Sequence, residues 1–241
     1  MTPVARLLCR FLLLGVGLLS ACGPPPPNLD VEGPNSPVIV STGCDGTFST
    51  ILTYTTNSTT AFPATGTLGP KTDFSDLSAS ASATRISADP PIKVTVNGTL
   101  KDPCKAGLTS YSLAAEAGHS TAVTNINVPA VPFSSVDVPP STPSRGQNPA
   151  TFEYKVKFTC CAPGAGMPAG PFAIEASSVP SGVDVTKIAP KKVRCTAAGD
   201  ATTVTVSGTV GSPYDGLDKI ILKVRYSDGK YCALPGTKIS G

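Results

Sequence analysis

The sequence has no tryptophan, two methionines and a single histidine, His119. One imidazole excludes any site built from several histidines and leaves one candidate general base. Charged residues make up only 15% of the chain, against roughly a quarter in an ordinary soluble domain. The formal net charge of +3 lacks the basic excess that a phosphate backbone demands, so nucleic acid is not an expected partner. With aromatics at 6%, stacking platforms for single strands are missing too. What is abundant is proline and glycine, 25 and 23 of the 241 residues. These residues resist helix and strand interiors and favour turns, which excludes a mostly helical fold.

The N-terminus is a targeting segment. Arg6 and Arg10 precede nine apolar residues from Phe11 to Leu19, and Leu19-Ser20-Ala21-Cys22 follows. Nine residues are too few for a bilayer core, which needs roughly 20. A basic start, a short apolar stretch and a small-residue end, in that order, make an export signal over residues 1–21. Leu19-Ser20-Ala21-Cys22 resembles the lipobox of bacterial lipoproteins. That resemblance implies that the signal is cut and that Cys22 becomes an acylated first residue. Gly23, in place of an Asp after the Cys, implies an outer-membrane or cell-surface location. Each buried methylene of the lipid contributes roughly 0.8 kcal/mol, so two or three chains hold a protein on a membrane without spanning it. Residues 22–36 then carry Pro24, Pro25, Pro26 and Pro27. This composition favours extended polyproline II and reads as a tether.

The remainder matches itself twice. Thr47–Thr55 aligns with Thr151–Thr159 at a shift of 104, and Val94–Leu100 with Val204–Val210 at a shift of 110. Two matches in the same order point to two copies of a unit of about 100 residues, a usual domain size. The expected boundaries are a first domain over 37–130, a Pro-rich linker over 131–149 and a second domain over 150–241. Inside each copy the period is two. Phe152, Tyr154, Val156, Phe158 and Cys160 share one face, with Glu153, Lys155 and Lys157 on the other. Ile220, Leu222, Val224 and Tyr226 alternate likewise, as do Ile92, Val94 and Val96. Half-buried strands separated by Gly/Pro turns predict an all-β fold of antiparallel β-sandwiches. Each copy resembles the immunoglobulin-like and fibronectin-type-III-like domains of bacterial surface proteins, though without their core Trp.

Removing Cys9 with the signal and Cys22 to lipid leaves Cys44, Cys104, Cys160, Cys161, Cys195 and Cys232. An even number in an exported chain points to disulfides. If each domain closes on itself, Cys44 pairs with Cys104. Adjacent Cys160 and Cys161 face opposite sides of a strand, so they take Cys195 and Cys232 in one of two orders. A metal site from these cysteines is the competing reading, but they lack the close C-x-x-C spacing of zinc ligands.

No catalytic set is legible. His119 lies in Gly118-His119-Ser120 with no G-x-S-x-G serine to partner it. Asp73 with Asp76, and Asp215 with Asp218, lack the dense oxygen pattern of a calcium loop. Charge divides the copies instead. Residues 28–138 hold five basic against nine acidic residues, and 139–241 hold twelve against seven. Lys191, Lys192 and Arg194 are therefore the candidate partner face, for an acidic envelope protein or polymer or for a second copy of the chain. The expectation is a lipid-anchored, non-catalytic binding or scaffolding protein of the bacterial cell envelope, with no cofactor. An envelope hydrolase using His119 or the paired acids, and a cysteine-based metal carrier, are the alternatives.

Overall fold

The computed structural model describes residues 29–115, 120–139, 149–164, 166–168, 170–211 and 219–239. The signal segment, Cys22, the proline run, His119 and the Asp215/Asp218 pair lie outside the described residues.

The fold is all-β. The first half of the chain forms β1 (Val31–Glu32), β2 (Val38–Ile39), β3 (Thr47–Thr56), β4 (Phe62–Leu68), β5 (Phe74–Ala81), β6 (Arg85–Ile86), β7 (Ile92–Leu100), β8 (Gly107–Ala115) and β9 (Thr121–Val128). They assemble as one sheet in the order β1-β3-β7-β5 and another in the order β2-β9-β8-β4-β6. The second half forms β10 (Phe133–Asp137), β11 (Ala150–Cys160), β12 (Phe172–Ser178), β13 (Val183–Ala189), β14 (Lys192–Val193), β15 (Ala201–Val210), β16 (Lys219–Arg225), β17 (Tyr231–Ala233) and β18 (Thr237–Lys238). Their sheets run β10-β11-β15-β13 and β14-β12-β16-β17, with β18 also on β16. Among the described residues, every pair of these strands is antiparallel except β2 with β9.

Alternation decides which side chains enter the cores. β7 buries Ile92, Val94, Val96, Gly98 and Leu100 on one face, and β11 buries Phe152, Tyr154, Val156, Phe158 and Cys160. The two self-matching stretches are β3 with β11 and β7 with β15, in the two inner places of each four-stranded sheet. Phe48 stands directly opposite Gly98, and Phe152 opposite Gly208. A Cβ on Gly98 would lie 2.6 Å from the Phe48 ring, and one on Gly208 would lie 2.8 Å from the Phe152 ring. In each sheet a glycine inside a strand is thus the seat for an aromatic ring across the ladder.

Two stretches expected to be connectors belong to the cores. Leu29 and Val31 are buried with the first cluster, and β1 pairs with β3, so the expected tether over 22–36 overlaps folded structure. Within the expected linker over 131–149, β10 pairs with β11 and Phe133 is fully buried. The Phe133 ring lies 4.9 Å from Phe158 and 5.4 Å from Phe172, at the centre of the second core. Proline density masked these segments, although their apolar side chains alternate as a strand requires.

All six cysteines are in disulfides, but the expected Cys44–Cys104 pair is not among them, and neither expected order of Cys160 and Cys161 with Cys195 and Cys232 is formed, since only Cys160–Cys195 of those pairs occurs. The bridges are Cys44–Cys232, Cys104–Cys161 and Cys160–Cys195. Facing positions explain the change. Cys160 points into the second core and takes Cys195, while Cys161 points the other way, toward the first sandwich and Cys104. Cys44 leaves the first sandwich, joins the second core and meets Cys232 on β17. Its N–H donates to the Ala233 carbonyl at 2.9 Å, and Gly43 forms a one-residue parallel bridge with Ala233. Around the other bridge, Val131 N–H donates to Pro103 C=O at 2.8 Å and Cys161 N–H to Pro132 C=O at 2.9 Å. The assumption that each domain closes on itself fails because two bridges join the sandwiches to each other.

Candidate functional site

The basic residues of the second half divide between two sheets. Lys155 and Lys157 are exposed on β11 and Lys187 on β13, all in the four-stranded sheet. Lys192, Lys223 and Arg225 belong to the other sheet. Val193 and Phe172 are buried opposite each other, so their neighbours Lys192 and Ala173 face outward. Ala173 is opposite Arg225, which is opposite Tyr231, and this gives one cross-strand row of Lys192, Ala173, Arg225 and Tyr231. The next row sets Glu175 opposite Lys223. Lys191 and Arg194 flank β14 and are exposed. The Lys191 carbonyl accepts the Ile174 N–H at 2.9 Å, which ties this segment to β12.

One carboxylate organises the cations of this face. Arg225 donates to Glu175 through Nε at 3.1 Å and Nη2 at 2.9 Å, and Lys223 Nζ approaches the same carboxylate at 3.8 Å. The two-pronged contact matches guanidinium to carboxylate geometry. Hydrogen bonds from Arg225 hold the Glu175 carboxyl below its usual range. Lys223 Nζ also lies 5.6 Å from the centroid of the Tyr231 ring, within cation–π reach.

Tyr231 closes the row and borders a cleft between the two sandwiches. The cleft has a volume of about 540 Å³ and is lined by Ile39, Ala130, Met167, Tyr226, Lys230 and Tyr231, among others. Ile39 and Tyr231 are 71% and 59% exposed, so each leaves much of a large apolar side chain in water at the rim. The Ser227–Lys230 turn forms one wall. Gly229 holds it with φ +85°, and Asp228 accepts the Lys230 N–H at 3.0 Å and pairs with Lys230 Nζ at 3.3 Å. Tyr226 is nearly buried behind this turn, and burial pushes its phenol up.

The candidate partner residues Lys191, Lys192 and Arg194 thus sit together at one edge of this sheet. The site extends from them to Arg225, Lys223, Tyr231 and Ile39. Nothing local signalled Ile39 or Tyr231, because their proximity comes from two chain segments about 190 residues apart. Of the other candidates, the Asp73 carboxylate accepts the Leu108 N–H at 3.1 Å and so braces a strand start. The six disulfide-bonded cysteines offer no free thiolate as a metal ligand.

No family model matches the chain, and no curated protein does. Among solved structures, the E. coli chaperone DraB aligns with a TM-score of 0.34 and 9% identity, over 88% of this chain and 96% of that one. The endo-fucoidan hydrolase MfFcnA4 from glycoside hydrolase family 107 aligns with a TM-score of 0.29 and 13% identity. That match covers 91% of this chain but only 30% of the hydrolase. Likenesses this slight bear on neither fold family nor function.

Proposed function

We propose that the chain is a lipid-anchored, non-catalytic binding or scaffolding protein of the bacterial cell envelope, with its partner face on the second sandwich. The observation that carries this reading is the continuous outer face from Lys192 through Arg225 to Tyr231, exposed and organised rather than scattered. Cations beside an exposed aromatic ring suit a protein contact, where Arg and Tyr anchor and the surrounding charge selects the partner. Two inter-sandwich disulfides support a presenting role, since they fix the face relative to the rest of the molecule. The lipobox at Cys22 and the proline run after it supply the anchor and the stalk.

The test is a mild-crosslinking pull-down of the lipidated protein from detergent-solubilised envelope. Cys22→Ala serves as a control without the anchor, and a triple reversal of Lys191, Lys192 and Arg194 to Glu as a control for the face. A stoichiometric envelope partner that is lost in both variants is the expected result. Capture that persists after the triple reversal removes the basic face from the proposal.

A further inference from the structure

Alternation leaves one sheet of the first sandwich with an outer face that is free of charge. On β8 the side chains of Thr109, Tyr111 and Leu113 are buried, and on β9 those of Thr124, Ile126 and Val128, so their neighbours in the strands face out. Ile39, Asn127 and Leu108 form one outward cross-strand row, and Val123, Ser112 and Thr67 another. The other outward positions of β2, β9, β8 and β4 hold only Ser, Thr, Asn, Ala and Pro. Charge begins at the sheet edge, where β6 brings Arg85, and its guanidinium donates to the Ala61 carbonyl at 2.6 Å. The outer faces of the other three sheets all carry cations: Lys93 on β7, Lys155 and Lys157 on β11, and Lys223 and Arg225 on β16.

The uncharged face is apolar where it projects most. Ile39, Leu108 and Val123 are three of the six most exposed large apolar side chains among the described residues, at 71%, 62% and 54%. Hydroxyls and carboxamides make up most of the remainder, and these groups both donate and accept. Such a surface is complementary to itself. In a two-fold contact the same patch meets its own copy, so a cationic face is repelled there, whereas a hydroxyl can donate to a hydroxyl. The size is sufficient as well. Four strands about 4.8 Å apart, and the eight residues of β9 at about 3.4 Å each, give a patch of about 19 Å by about 27 Å. Two such patches together bury about 1,000 Å², the lower limit of a specific contact.

We propose that this face is the interface of a homodimer, in which a second copy of the chain lays its own β2-β9-β8-β4 face against it. The two sheets then pack as the sheets of a sandwich do, with strands aligned to within about 30°. Ile39, Leu108 and Val123 leave water, and the Ser, Thr and Asn side chains pair across the contact. The interface lies on the first sandwich and uses none of Lys191, Lys192 and Arg194, so a dimer presents two basic faces and gains avidity for a repeating partner.

The test is photo-crosslinking of the full chain in the intact envelope, with benzoyl-phenylalanine placed at Asn125 on the face. The same probe at Ile51, exposed on the other sheet of this sandwich, serves as control. Co-expression of two differently tagged copies identifies a homodimer by the presence of both tags in one adduct. The expected result is a doubly tagged adduct from Asn125 and none from Ile51. A double variant, Leu108→Lys with Val123→Lys, is expected to lower its yield at least about tenfold through like-charge repulsion. Co-expressing that variant with one carrying Leu108→Glu and Val123→Glu restores the adduct, which a folding defect would not allow. The proposal is overturned by an absence of adduct from Asn125, by an adduct with a different protein, by equal yield from Ile51, or by a yield that the lysine variant leaves unchanged. Capture of an envelope partner through Lys191, Lys192 and Arg194 is measured separately, so either proposal can fail while the other stands.

Discussion

Gly98 and Gly208 show how much one missing side chain decides in this protein. Both sit mid-strand, where alanine is intrinsically the better residue, yet each makes room for the ring across the ladder. The nearest atoms to a Cβ on Gly98 belong to the Phe48 ring and the Leu77 side chain, which can shift. A Cβ on Gly208 overlaps the Asp184 main-chain carbonyl as well as the Phe152 ring, and the carbonyl belongs to the paired strand β13. Gly208→Ala is therefore expected to lower stability by at least the roughly 1–3 kcal/mol of an overpacked core, and by more than Gly98→Ala, in urea titrations of the two variants. The tyrosines give a second expectation at this scale. Burial pushes the Tyr154 phenol from its ordinary 10.0 up to about 12, and raises Tyr226 as well. A group whose folded value is raised contributes stability that is fully present below its unfolded value and lost as pH rises through the folded one. The thermal midpoint should accordingly fall as pH climbs from about 10 to 12, and Tyr154→Phe should reduce that fall while leaving the midpoint at pH 7 little changed.

Strand faces were legible because a period of two is a local property. The parity of Phe152 to Cys160, of Ile220 to Tyr226 and of Ile92 to Val96 named core residues that are all buried. The same parity set Cys160 and Cys161 on opposite faces, as they are, but it did not find the partner of Cys161, which is Cys104 rather than Cys195 or Cys232. The segments around β1 and β10 were not legible. Each is a short outer strand flanked by proline or by polar residues, so composition outweighed the alternation of Leu29 with Val31 and of Val131 with Phe133. Phe133→Ala tests this assignment. Deleting a fully buried ring that touches Phe158 and Phe172 costs about 3–5 kcal/mol, whereas the same change in a solvated linker leaves stability within about 0.5 kcal/mol. Chemical denaturation followed by tyrosine fluorescence distinguishes the two.

At the scale of the molecule, the decisive contacts join residues far apart in the chain. Cys44 and Cys232 are 188 residues apart, and Cys104 and Cys161 are 57 apart. No local pattern could pair them, because the pairing depends on how two separately patterned sandwiches meet. The candidate site shows the same limit. Lys191, Lys192 and Arg194 were found from charge in the sequence, but the row to Tyr231 and the cleft at Ile39 exist only once β14, β12, β16 and β17 are laid side by side against β2. These bridges give the proposal its mechanical basis, since a face intended to position a partner needs a fixed frame. A disulfide typically stabilises by about 2–4 kcal/mol, and two across one junction also hold its geometry. Mapping the bridges by mass spectrometry of unreduced proteolytic peptides is therefore the most direct measurement. Peptides linking Cys44 to Cys232, Cys104 to Cys161 and Cys160 to Cys195 are the predicted result. A peptide linking Cys44 to Cys104 would contradict it, since each sandwich would then close on itself and the cleft between them would lose its clamp.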